Sequence, residues 1–134
     1  PDILVVLDSE LMHIAKNEVP VSNIKPNGLL LINESSKENV EKDLQGLEVS
    51  NAKIAFVDAT KIATDLGLVV AGWPVINTAM LGALVKASSL LPFEKLVEAI
   101  KEYWPGEIGD KNAEAASRGS ELVNFLGDTG GGSK

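Results

Sequence analysis

Asp8, Asn33 and Asp58 recur at equal intervals of 25 residues, and each closes a short apolar run. The runs are Ile3-Leu4-Val5-Val6-Leu7, Leu29-Leu30-Leu31-Ile32 and Ile54-Ala55-Phe56-Val57. Carboxylates and a carboxamide so placed offer hydrogen bonds to a ligand, because open α/β sheets bind at the carboxyl ends of their strands. A free-standing small-molecule-binding domain built on that crevice is one reading. The weightier one is local: Asp and Asn are favoured helix caps, and these positions are where caps belong.

Other chemistries lack their residues. No Gly-x-Gly-x-x-Gly follows an apolar run, and the terminal Gly-Gly-Gly-Ser-Lys has no strand–loop–helix context for a phosphate loop. No Gly-x-Ser-x-Gly elbow is present, and the single histidine, His13, falls in an amphipathic stretch that gives it a structural or exposed role. The absence of cysteine excludes disulfides, thiol catalysis and thiolate-held clusters within this chain. With one histidine, a self-contained metal site is not expected. No residue is assigned a catalytic role.

The elements that must position these groups follow from patterning. Continuous rather than alternating apolar runs read as strands buried on both faces, as in a parallel sheet. Helix-compatible stretches at 9–17 and 37–46 separate them, and Ser35-Ser36-Lys37-Glu38 offers a capping box in which Ser35 caps and Glu38 reaches back. Pro20, Pro26-Asn27-Gly28, Gly46 and Ser50-Asn51 punctuate the connections. Residues 59–66 read as a helix ending at Gly67, followed by a short strand over Leu68–Ala71. Phe93, Leu96, Val97, Ile100 and Tyr103 give the buried face of a helix over 93–104, and a last helix is expected over 111–126. The expected fold is α/β: three layers, α/β/α, with a mostly parallel sheet, Rossmann-like βαβ units and a helical C-terminal half. Residues 1–126 read as one domain and 127–134 as a flexible Gly-rich tail.

Within 134 residues, 45% are hydrophobic and 23% charged, an ordinary globular balance. The net charge is −7 with no Lys/Arg stripe, which argues against nucleic acid and anionic membrane surfaces as partners. No apolar run approaches the roughly 20 residues that span a bilayer, and no signal-peptide pattern opens the chain, so a cytoplasmic location is expected.

One helix is unusual. Trp73-Pro74 forces an extended lead-in, because the residue ahead of proline is pushed out of the α region. Asn77 or Thr78 is then expected to cap a run, Ala79 to Ala87, that is apolar nearly all round apart from Lys86. Such a helix is buried on more than one side, so Met80, Leu81, Gly82 and Leu84 are expected at a subunit interface, Gly82 permitting close backbone approach.

Asn77-Thr78-Ala79-Met80-Leu81-Gly82-Ala83-Leu84, preceded by Ala71-Gly72-Trp73-Pro74, closely resembles a hallmark segment of the gamma subunit or domain of 2-oxoacid:ferredoxin oxidoreductases, with the pyruvate type (pyruvate synthase) nearest. Residues 1–8, 25–33, 58–63, 111–115 and Arg118-Gly119 extend the resemblance, in order, over about residues 1–123. Family members usually carry a further strand and glycine-rich turn ahead of the segment matching Pro1, so the chain reads as a truncated gamma domain. The resemblance implies an assisting, non-catalytic subunit of a complex that oxidatively decarboxylates a 2-oxoacid. Alpha and beta chains would hold thiamine diphosphate with Mg2+, and a ferredoxin-like delta chain would hold [4Fe-4S] clusters. Coenzyme A would be the co-substrate and ferredoxin the electron acceptor. This chain would hold no cofactor itself; Asn77, Thr78 and then Asn33 are its candidates for coenzyme A or catalytic-interface contacts. Pyruvate is the expected oxoacid, with 2-oxoglutarate, a branched-chain acid or indolepyruvate as alternatives.

Overall fold

The computed structural model of the chain describes residues 2–10, 24–46 and 51–127. The expected helix over 9–17 falls almost wholly outside these residues, as do His13, Pro20, Ser50 and the tail beyond Gly127. The chain divides into two compact units, Pro1–Val57 with Asn124–Lys134, and Asp58–Val123.

The first unit is built on a four-stranded sheet in the order β1-β2-β3-β6: β1 (Ile3–Val6), β2 (Leu29–Asn33), β3 (Lys53–Val57) and β6 (Asn124–Phe125). The first three strands run parallel, with Val6 opposite Ile32 and Ile32 opposite Phe56. β6 joins antiparallel to β3 through Ala55–Phe125 and Phe56–Asn124. The three apolar runs are thus the parallel strands expected of an α/β fold. Alternation puts Val6, Leu30 and Ile32 in a core with Leu4, Ile54 and Phe56, where helix α1 (Lys37–Leu44) contributes Val40 and Leu44. Leu31, Ala55 and Val57, which alternate with them, are also fully buried, which is why the runs carry no polar alternation.

α1 starts one residue later than the capping box predicts. Ser36, not Ser35, is the cap, its hydroxyl accepting from the Asn39 backbone N–H at 3.2 Å. Ser35 instead bonds Glu34 and Asn39 through its side chain.

The second unit holds α2 (Ala59–Asp65), a hairpin of β4 (Val69–Val70) and β5 (Trp73–Pro74), then α3 (Asn77–Ser88), α4 (Phe93–Tyr103) and α5 (Glu107–Leu122). Asp58 caps α2 by accepting from the Lys61 N–H at 3.0 Å, and Gly67 follows the helix at φ 73°, as a C′ glycine should. Ala71 and Gly72 turn the hairpin with φ of 52° and 83°, the double positive φ of a type I′ turn. α5 begins four residues before the expected start, right after Gly106, and ends at Leu122. The expected continuation to residue 126 is replaced by β6, because Phe125 and Asn124 pair with the β3 edge.

α3 buries Ala79, Met80, Gly82, Ala83 and Val85 within this unit, chiefly against α5, and leaves Leu81 exposed. A β-carbon on Gly82 would overlap the Ala116 carbonyl of α5, and one on Gly119 would overlap the Ala79 carbonyl of α3. Reciprocal glycines therefore bring two helix backbones into contact. Val85, Leu96, Ile100, Ala113 and Ala116 form the core, with Phe93, Val97 and Trp104 packed on it. Tyr103, expected on the buried face of α4, is exposed and meets Trp104 edge-on at 4.6 Å between ring centroids.

Candidate functional site

The carboxyl ends of β1 and β2 carry a tight polar cluster. Asn33 donates from Nδ2 to the Leu7 carbonyl at 3.2 Å, stitching the two strand ends together. Asp8 accepts from the Glu10 backbone N–H at 3.0 Å in a local turn. Asp8 and Asp58 thus serve local backbone structure, and Asn33 is engaged between strands.

Beside them is a pair that sequence spacing did not reveal. Glu34 accepts from the Ser9 hydroxyl at 3.0 Å and the Ser35 backbone N–H at 2.8 Å, with the Asn39 amide at 3.4 Å. Asp43, from the last turn of α1, meets Glu34, and among the described residues no donor group reaches its buried Oδ2. Burial and the hydrogen bond and charge of Glu34 push the Asp43 carboxyl up to about 7, although a Ser9 hydrogen bond acts the other way. Burial alone would raise Glu34 too. Hydrogen bonds from Asp43, the Ser35 amide, Ser9 and Asn39 outweigh it and hold Glu34 below its usual value. Below about pH 7 the pair retains a proton that two free carboxyls would release, on the Asp43 side. The signal lay in topology: Ser9, Glu34 and Asp43 meet only once β1, β2 and α1 are packed.

At the start of α3 the expected cap is not formed. Ile76 is the N-cap and makes no side-chain bond, so Asn77 is the first helical residue and its side chain is exposed. Thr78 is buried, and its hydroxyl donates to Asn112 Oδ1 at 2.9 Å. Asn112 in turn donates from Nδ2 to the Ile108 carbonyl at 2.9 Å. Thr78 therefore ties α3 to α5 instead of capping. Of the candidate interface residues, Met80 and Gly82 are buried within the unit, Leu84 is half-buried and Leu81 is exposed.

Asn77 lines a cleft of about 340 Å3 whose walls are Leu68, Val70, Val75, Trp104 and Ile108. Asn112 and Lys111 complete its polar side. Val70, Ile108, Trp73 and Tyr103 are all largely exposed in this unit. Sequence reasoning missed Trp104, Lys111 and Asn112, since only the α4–α5 turn brings them beside the hairpin. Among the described residues, no group of three or more His, Cys, Asp or Glu side chains is arranged to hold a metal ion. No described helix is long and apolar enough to cross a membrane.

These features define an α/β protein with a largely apolar cleft edged by two amides and a lysine, and a coupled carboxyl pair. The chain belongs to the pyruvate ferredoxin/flavodoxin oxidoreductase family, whose pattern it matches over residues 1–122. It is 42% identical over 127 residues to the pyruvate/ketoisovalerate oxidoreductases common subunit gamma of Pyrococcus furiosus, covering 94% of this chain and 63% of that protein. The pyruvate synthase subunit PorC of Methanothermobacter marburgensis is 39% identical over 127 residues, covering 95% and 63% respectively. The crystal structure of the pyruvate oxidoreductase subunit PORC from Thermotoga maritima superposes with a TM-score of 0.73 at 35% identity, over 93% of this chain and 65% of that one. The chain thus spans about three-fifths of the length of the curated relatives it matches. The resemblance carried by residues 71–84 and its flanking segments is that of the family to which the chain belongs.

Proposed function

We propose that the chain acts as a gamma subunit or domain of a pyruvate (2-oxoacid):ferredoxin oxidoreductase in the cytoplasm. It supports coenzyme A-dependent oxidative decarboxylation performed on other chains. The observation that carries this reading is the identity to gamma and PorC subunits along almost the whole chain. Pyruvate is the first oxoacid, and the pairing of pyruvate with ketoisovalerate in the names of several relatives makes a branched-chain acid the second.

In this reading alpha and beta chains hold thiamine diphosphate and Mg2+, a delta chain holds [4Fe-4S] clusters, and ferredoxin takes the electrons. The cysteine-free sequence is consistent with clusters held elsewhere. Asn77, exposed at the first turn of α3, is the group that reaches coenzyme A or a neighbouring subunit. Thr78 fixes the helix that presents it, and Asn33 is the secondary contact. Leu81 is the interface residue of that helix, being its exposed large apolar side chain.

The test is affinity purification of the tagged chain from its source cells. Retained proteins are identified, thiamine diphosphate and iron are assayed, and pyruvate- and coenzyme A-dependent ferredoxin reduction is measured. Co-purification of a thiamine-binding pair and a cluster-bearing chain is expected. Retention of neither refutes the subunit role, and an Asn77→Ala complex with unchanged assembly and acetyl-coenzyme A yield refutes the role of Asn77.

A further inference from the structure

The polar side of the α3–α5 cleft carries a cation and no anion. Asn112 is 94% buried, at 6% exposure, and its orientation is fixed by two hydrogen bonds of opposite sense. Its oxygen accepts from Thr78 and one amide hydrogen goes to the Ile108 carbonyl, which leaves the second N–H without a partner among the described residues. Lys111, the next residue back along α5, lines the same cleft and makes no ion pair with any described residue. Asn77 adds an exposed amide with no described partner. No carboxylate lines the cleft. The side-chain groups on offer are therefore the Asn112 N–H, the Asn77 amide, which can donate or accept, and one ammonium with no facing anion, against walls of Leu68, Val70, Val75, Trp104 and Ile108.

A ligand complementary to that arrangement has an anionic acceptor at one end and an apolar body at the other. A cleft of about 340 Å3 lies at the small end of small-molecule pockets, which suits a compact solute. Lys111 attracts the anion, and Asn112 sets its direction, since a rigidly held donor loses little entropy on binding. The apolar walls desolvate the body, as in other small-molecule sites.

We infer that this cleft is a binding site for a small monocarboxylate with a compact apolar body, held by Lys111 and the free N–H of Asn112. The inference rests on the geometry of the second unit alone and stands apart from the subunit role.

The test uses the full chain labelled with 15N, titrated with cyclohexanecarboxylate and, in parallel, with its neutral isostere cyclohexanecarboxamide. Amide shifts at Val70, Lys111 and Asn112 are followed by NMR. The carboxylate is expected to bind at about 1 mM or tighter, and the carboxamide about tenfold more weakly. Lys111→Gln, at an exposed position, is expected to weaken carboxylate binding about tenfold and leave carboxamide binding unchanged. Equal affinity for the two compounds would overturn the inference. Shifts confined to other residues, or none at 10-fold above the expected dissociation constant, would overturn it as well. Failure of this test leaves co-purification with a thiamine-binding pair unaffected, so the two readings fail separately.

Discussion

Replacing Gly82 with alanine adds one methyl group where α3 and α5 cross. The new carbon would overlap the Ala116 carbonyl oxygen and lie 2.6 Å from its carbonyl carbon and 2.7 Å from its Cα. Carbon atoms in contact sit about 3.5–4.0 Å apart, so the helices must separate by roughly 1 Å. The obstruction is backbone, which no rotamer change can remove. Overpacking of this kind costs about 1–3 kcal/mol. Separation also weakens the packing of fully buried Ala79, Ala83 and Ala116 along the same seam. Against this, alanine recovers about 1 kcal/mol of helix propensity over glycine. The net expectation is a loss of about 1–2 kcal/mol, which for a unit of this size lowers the melting temperature by about 5–15 °C. Far-UV circular dichroism melts of the parent, Gly82→Ala and Lys86→Ala test it. Lys86 is exposed on the same helix, so its variant should stay within about 0.5 kcal/mol of the parent. A Gly82→Ala chain that melts at or above the parent would show that the crossing tolerates a side chain and would refute the close-packing argument.

Asp43 gives a pH dependence with a definite sign. Its folded pKa of about 7 lies above the ordinary 3.8, so the native chain keeps a proton that the unfolded chain releases. Its contribution to stability is therefore present in acid and lost as pH rises towards about 7, whereas the lowered Glu34 acts oppositely at the acid end. Asp43→Asn keeps a donor towards Glu34 without a charge. In urea titrations it should flatten this loss and raise the midpoint at pH 8 relative to the parent, and an unchanged pH profile would contradict the retained proton. Thr78→Val keeps the shape but removes the donor to Asn112, leaving a buried acceptor unsatisfied at a cost of about 1–3 kcal/mol. Its urea midpoint should fall below that of Thr64→Val, whose hydroxyl is exposed on α2.

What the sequence makes legible here is what local physics determines. The continuous apolar runs name the parallel strands because those residues are buried irrespective of face. Gly67 and Pro105-Gly106 mark helix boundaries through backbone restriction. Shifts of register appear where two residues could perform the same duty, as with Ser35 and Ser36. The Ala71-Gly72 turn lacks the Asn or Asp that usually announces a type I′ hairpin, so the sequence shows β5 only as an extended lead-in. The apolar circumference of α3 predicts burial on more than one side, and within the unit the helix buries Ala79, Met80, Gly82, Ala83 and Val85 while Leu81 stays exposed. The main cover of the helix is α5 of the same chain, because Gly119 answers Gly82 from 37 positions away. The Glu34–Asp43 pair and the Lys111–Asn112 edge of the cleft depend on contacts between distant segments, which no short spacing encodes.

The antiparallel pairing of β6 with β3 has a consequence for how the chain assembles. β3 ends at Val57 and β6 begins at Asn124, so the whole helical unit is inserted between two neighbouring strands of one sheet. Closing that gap as a loose loop of roughly 65 residues would cost about 4 kcal/mol of chain entropy, a large charge against a strand of two residues. If the inserted helices fold beforehand and bring their ends together, most of that cost disappears. Pairing of β6 with β3 is therefore expected after the insert has folded, once its segment has also left the ribosome. Any lesion that delays the insert leaves the β3 edge open to pairing with another chain.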